Sequence, residues 1–377
     1  MANIIDNINT EILRQCRQQI GLNILEVKGK IKKIEEIEED KQKPTFNQLN
    51  TLAQLYNVPR WVFISDKLPE KYKFDKALPS FRKFMDSDDK AFKSPKVRGL
   101  ITKVERFREL IIELIEDAGE KTAPFNPPKL KNNITEKAAA NKIKNWLNIK
   151  EKSLSFDKRK EKLEKKGVFI FMTSKYKGWS YIDKKIFRGL AIYHSVLPII
   201  IINDSDAKKA QSFTLFHEFR HLLGKESVID NSWQDSEKRC DEFAGNLLMP
   251  AKQFKSAVDS ATHISDMSDI KKIATKFQVS PYACLVRLLQ LNMISTHHYE
   301  NLEQQLKSEY EKVKKKLKEA KGGPPRKRER EAFNQYGGLY TKIIFQAYHN
   351  KEIGLNKLCQ LFDFKRTSYA FKLEGYL

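Results

Sequence analysis

The chain has 377 residues, 40% of them hydrophobic, which is long enough for two or three domains with a sizeable core. Its formal charge is +22, from 70 Lys and Arg against 48 Asp and Glu, a field that attracts polyanions. No apolar run approaches the roughly 18 residues of a membrane span, the first residues lack the basic start and apolar stretch of a signal peptide, and four scattered cysteines form no C-x-x-C pair; these features argue against a membrane protein or a disulfide scaffold and lead us to expect a cytoplasmic protein with reduced thiols packed as small hydrophobes.

Residues 1–70 carry short helical patterns: Ile12, Leu13, Cys16 and Ile20, then Ile24, Val27 and Ile31, and finally Leu49, Leu52, Ala53 and Leu55 before Val58-Pro59. Gly21 marks the break between the first two. The segment is neutral, with ten basic and ten acidic side chains, and the run Ile34 to Asp40 holds five carboxylates that repel phosphate. Residues 71–155 are expected to be a helical connector, with a basic loop first, then helices over 96–118 and 135–147 on either side of a Pro-containing stretch. Residues 71–166 hold 26 basic and 15 acidic side chains, so much of the positive excess falls here.

In the segment 156–300 the period changes. Residues 167–173, 181–183, 189–193 and 198–203 read as strands rich in Ile, Phe and Val, and they lead into an apolar helical pattern over 213–223. An α+β class follows, mostly helical with a small sheet. The helix contains His217-Glu218-x-x-His221, the H-E-x-x-H pattern of zinc hydrolases. At 3.6 residues per turn the two imidazoles share a face and reach one ion, while Glu218 projects beside them as a base. A third ligand must come from elsewhere, leaving a position for water. The next helical pattern, from Ser236 to a stop at Pro250, offers Glu237, with Asp241 one turn on to orient a ligating histidine; Asp235 and Glu242 are rival ligands. Arg188, Tyr193 and His194 are the nearby candidates for stabilising an oxyanion.

Beyond Pro250 the chain is helical again. The spacing over 270–289 is that of a two-helix turn, with Ser280 placed as a cap, and 355–373 repeats the idea. Between them lies 301–335, a Lys-rich helix broken at Gly322-Gly323-Pro324-Pro325, followed by a helical segment over 336–377. Residues 312–330 hold ten basic and two acidic side chains, a candidate surface for DNA.

The run Phe213 to Leu223, followed by Glu237-x-x-Cys240-Asp241-x-Phe243-Ala244 and ending Leu247-Leu248-Met249-Pro250, resembles the ImmA/IrrE family of zinc metallo-endopeptidases. The resemblance extends upstream through Gly167-Val168-Phe169-Ile170-Phe171, Phe187-Arg188-Gly189 and Pro198 to Asn203, and covers at least residues 160–255. It implies a zincin-like domain in which His217, His221 and Glu237 hold Zn2+ and Glu218 is the catalytic base. Asp241 stands where the family more often has asparagine. The stretch Lys43 to Pro59 resembles the helix-turn-helix domain of XRE-type regulators that precedes many such peptidase domains. Together these likenesses imply an endopeptidase acting on a regulatory protein, such as a repressor or an antitoxin-like partner. The alternative is a DNA-binding regulator, or the antitoxin of a toxin–antitoxin pair, whose zinc is structural.

Overall fold

The computed structural model describes residues 4–73, 94–131, 133–151, 153–174, 181–183, 186, 188–225, 233–260, 266–319 and 326–377. The chain divides into two compact units, Met1–Glu113 with Gly178–Phe187, and Leu114–Lys177 with Arg188–Leu377. None of the described helices is long and apolar enough to cross a membrane.

The first unit begins with helices Thr10–Gln19, Ile24–Lys28, Ile34–Glu38 and Phe46–Tyr56 and a 3-10 turn Arg60–Ile64. Local chemistry sets their ends: Asn23 with Glu26 and Thr45 with Gln48 form reciprocal capping boxes, and Asn57 closes the fourth helix in the left-handed region. Leu13, Val27, Ile34, Ile37, Leu52, Val62 and Phe63 are fully buried in its core. One of the five carboxylates read as repelling phosphate is not at the surface. Glu38 is buried and takes a two-pronged bond from Arg17, Nε at 2.8 Å and the terminal nitrogen at 2.9 Å. The helix expected over 96–118 runs Pro95–Asp117, and most of the basic loop before it lies outside the described residues.

The second unit is α+β. Helices Glu136–Trp146 and Phe156–Glu164 precede a three-stranded mixed sheet of β1 (Phe169–Met172), β2 (Gly189–Ile192) and β3 (Ile199–Ile202), in the order β1-β3-β2. β1 pairs parallel with β3, Phe169 opposite Ile199; β2 pairs antiparallel with β3, Gly189 opposite Ile202. Residues 181–183 form no strand, contrary to expectation. Ile182 alone of the three is buried, and the Tyr181 carbonyl accepts from the Lys96 ammonium at 3.4 Å instead of a ladder amide. The helix Phe156–Glu164 escaped the periodicity because Arg159 and Lys160 occupy its buried side; Arg159 donates to the carbonyls of Phe277 and Gln278, and Lys160 to that of Asn334.

β1 and β3 are buried along their whole length because both faces of the sheet are covered. Ile170, Met172, Ile200 and Ile202 join Leu215, Phe216, Phe219 and Leu222 of the helix Lys208–Leu223 in the main core. Each such side chain adds about 1.5–3 kcal/mol when fully buried. Phe169 and Phe171 of β1 meet Tyr340 of the helix Gly338–His349, with ring centroids 6.4 and 5.7 Å apart. Gly337, at φ +82°, starts that helix where any Cβ would run into Glu164, whose carboxylate accepts the Gly338 amide at 3.1 Å. The helices Trp233–Leu248, Ala251–Asp259, Met267–Lys276 and Pro281–Gln290 complete the core, and the Ser280 hydroxyl caps the last by accepting from the Ala283 amide. The Lys-rich helix spans Thr296–Glu319, while the Gly-Pro break at 322–325 lies outside the described residues. Helices Arg328–Tyr336, Gly338–His349, Leu355–Leu361 and Ser368–Glu374 end the chain.

Candidate metal centre

The helix Lys208–Leu223 buries Leu215, Phe216, Phe219 and Leu222, which turns His217 and His221 to its partly open side with ring centroids 5.1 Å apart. The helix Trp233–Leu248 buries Cys240, Phe243 and Ala244 and brings Glu237 across both rings. Glu237 Oε2 lies 3.1 Å from His217 Nε2 and its Oε1 lies 3.3 Å from His221 Nε2. The other nitrogens are held from behind. Asp241 Oδ1 is 2.8 Å from His217 Nδ1, and Cys240 Sγ is 3.7 Å from His221 Nδ1.

This donor set suits a zinc-sized ion. Two donors each about 2.0–2.1 Å from one tetrahedral ion stand about 3.3 Å apart, which is the spacing found between the Glu237 oxygens and the two Nε2 atoms. A histidine that coordinates through Nε2 keeps its proton on Nδ1, and here both Nδ1 atoms have an acceptor, the Asp241 carboxylate or the Cys240 sulfur. Without metal, burial works to lower the His217 pKa, but Asp241 and Glu237 outweigh it and push it up to about 10. The same two histidines hold the Glu237 carboxyl well below its ordinary range.

Glu218 is buried, 8% exposed, while the Glu237 side chain is half open at 49%. Burial raises the Glu218 pKa, and the neighbouring imidazoles only partly offset it. Its carboxylate lies against Gly189 of β2: a Cβ there would stand 2.7 Å from Glu218 Oε1 and 2.5 Å from Thr214 Cγ2. A buried carboxyl, paired imidazoles and a carboxylate across them form a donor set that could hold a metal ion. Residues 164–289 match the family model of the IrrE N-terminal-like domain, Peptidase M78. The match takes in the sheet, both site helices and nearly all of the three helices after them, about a third of the chain. No curated protein matches the chain significantly.

Within the IrrE-like domain the rival ligands separate. Glu242 lies towards Arg287, whose charge it stabilises, and has no contact with either imidazole among the described residues. The Asp235 side chain lies outside the described residues. Cys240 is more than the small hydrophobe its apolar position suggests. One ligand atom from each of His217, His221 and Cys240 falls within 4.8 Å of the others, yet the sulfur sits on the Nδ1 side of His221, so we assign it to holding that ring rather than to the face where Glu237 lies. The strand alternation places Gly189, Ala191 and Tyr193 on the side facing the helix and Arg188 on the other. β2 ends at Ile192, so Arg188 directly precedes the strand and Tyr193 and His194 follow it.

Glu136 was not legible as a site neighbour. First residue of its helix and 5% exposed, it accepts from Arg220 Nε at 2.8 Å and Nη2 at 2.9 Å, and from Arg239 Nε at 2.9 Å. Burial alone would raise its pKa, but the two guanidiniums lower it below the ordinary value. No spacing rule links position 136 to positions 220 and 239; a buried glutamate opposite two arginines is visible only once the chain is folded.

Proposed function

We propose that the chain is a zinc-dependent endopeptidase of the HExxH type that cleaves a regulatory protein, a repressor or an antitoxin-like partner. The observation that carries the reading is the convergence of His217 Nε2, His221 Nε2 and the Glu237 carboxylate beside a buried Glu218. His217, His221 and Glu237 would hold the ion. Zinc bound there supplies Lewis acidity and an activated water near neutral pH. Glu218 takes the proton of the attacking water and passes it to the leaving amine. Asp241 and Cys240 keep the ligating rings in one tautomer and orientation.

A second reading, a non-catalytic regulator with structural zinc, draws on the His217, His221 and Cys240 grouping, because a thiolate ligand would close the site. Glu218→Gln separates the two. It removes the base and keeps the ligands, so the endopeptidase reading requires metal content and fold unchanged and partner cleavage abolished. Equal action of both forms on the partner in cells would favour the regulator.

A further inference from the structure

The ligands of the candidate centre come from two separate helices, so its geometry depends on what holds those helices at one spacing. A metal site tolerates errors of about 0.2 Å in its bond lengths, far less than packed apolar side chains alone guarantee. Arg220 directly precedes His221 on one helix, and Arg239 lies between Glu237 and Asp241 on the other. Both guanidiniums bond the single carboxylate of Glu136, three contacts of 2.8 to 2.9 Å, with Arg220 and Glu136 buried. The arrangement is directional. A planar guanidinium donating from two nitrogens fixes distance and angle together, which an apolar contact does not. Glu136 is itself fixed by its place behind the Thr135 cap, where the Thr135 hydroxyl accepts from the Ala138 amide, and the positive end of that helix favours its charge.

We infer that Glu136 is a positioning residue of the metal centre, its carboxylate setting the spacing between the helix of His217 and His221 and the helix of Glu237, and thereby metal affinity. This rests on the reading of that site as a metal centre. The fold would hide such a role, since removing the charge also breaks a buried ion pair and lowers stability; the test must therefore separate affinity from stability.

Zinc affinity is measured by competition with a chromophoric chelator on the folded, metal-free full chain, alongside thermal midpoints, for Glu136→Gln, Arg239→Gln and Ile143→Val. Ile143 is fully buried on the Glu136 helix two turns on from Glu136 and carries no donor or charge, so its variant serves as the control for stability loss. Glu136→Gln is expected to weaken zinc binding about 10–100-fold and Arg239→Gln by a smaller factor, with Ile143→Val at the parent affinity. Arg239 is half exposed, so its variant decides the matter if Glu136→Gln does not fold. Parent affinity in the Glu136 and Arg239 variants overturns the inference, as does an equal loss in Ile143→Val at matched stability. A parent chain that binds no zinc overturns the metal-centre reading and this inference with it.

Discussion

A single methyl at Gly189 tests the placement of Glu218, the proposed base. Built on the backbone, it would stand 2.5 Å from Thr214 Cγ2, 2.7 Å from Glu218 Oε1 and 2.9 Å from Glu218 Cγ. Carbon contacts are comfortable from about 3.5 Å, so about 1 Å must be found. β2 is tied by its ladder to β3, and the helix Lys208–Leu223 by its buried apolar side, so the Glu218 side chain yields most easily. Overpacking of this kind costs about 1–3 kcal/mol in stability. A 1 Å displacement of a reacting group costs about a hundredfold in rate, or about 2.7 kcal/mol of barrier. Gly189→Ala is therefore expected to keep its zinc, lose a few degrees of thermal stability and lose about a hundredfold in kcat/KM on a fluorogenic peptide or the partner protein. Adding Thr214→Ser removes the closest contact, so stability recovers while activity stays low. Full activity in Gly189→Ala would refute the packing of Glu218 against this strand.

Glu237→Ala is expected to lose most bound zinc and Asp241→Ala to bind about 10–100-fold more weakly, as read by metal analysis of the purified variants; full occupancy in Glu237→Ala would move the ligand assignment to a neighbour. The metal-free protein should lose stability as pH rises from the ordinary histidine range through about 10, because His217 is raised and its ion pairs vanish when it deprotonates. It should also lose stability as pH falls below the ordinary glutamate range, where the depressed Glu237 finally protonates; thermal midpoints of the metal-free chain across pH check both limbs. In 312–330, Arg326 and Arg328 are already paired with Glu331, so neutralising Lys312, Lys327 and Arg330 should flatten the salt dependence of duplex binding by about 0.9 for each phosphate that is no longer neutralised, and an unchanged slope would reduce the segment to a solvated face.

The candidate site was legible where its logic is local. His217, Glu218 and His221 follow from one helical period, and Glu237 and Asp241 from the next helix; the structure brings Glu237 across both imidazoles and Asp241 behind His217, with Glu218 near them. What stayed hidden depends on tertiary approach. Cys240 reads as core because it lies on the apolar stripe, and only the crossing of the two helices turns its sulfur to His221. Gly189 reads as an ordinary strand residue until the helix packs against it. The fold follows the same division: capped helices and Ile-rich strands are written locally, whereas 181–183 has strand-forming residues yet forms no strand.

The aromatic cover on β1 changes what counts as a self-sufficient piece of this chain. The segment that matches the IrrE-like domain ends at residue 289, yet the face of β1 bearing Phe169 and Phe171 is closed by Tyr340 and anchored through Glu164 to Gly338. A ribosome delivers those helices after the sheet. Until then the sheet shows two phenylalanines to water and leaves a buried carboxylate waiting for its amide, the kind of exposed, half-built surface that recruits chaperones and aggregates. Ending the chain near residue 290 should therefore give an insoluble product even though His217, His221, Glu237 and Glu218 are all present, and supplying 326–377 as a separate chain would be a direct way to restore solubility.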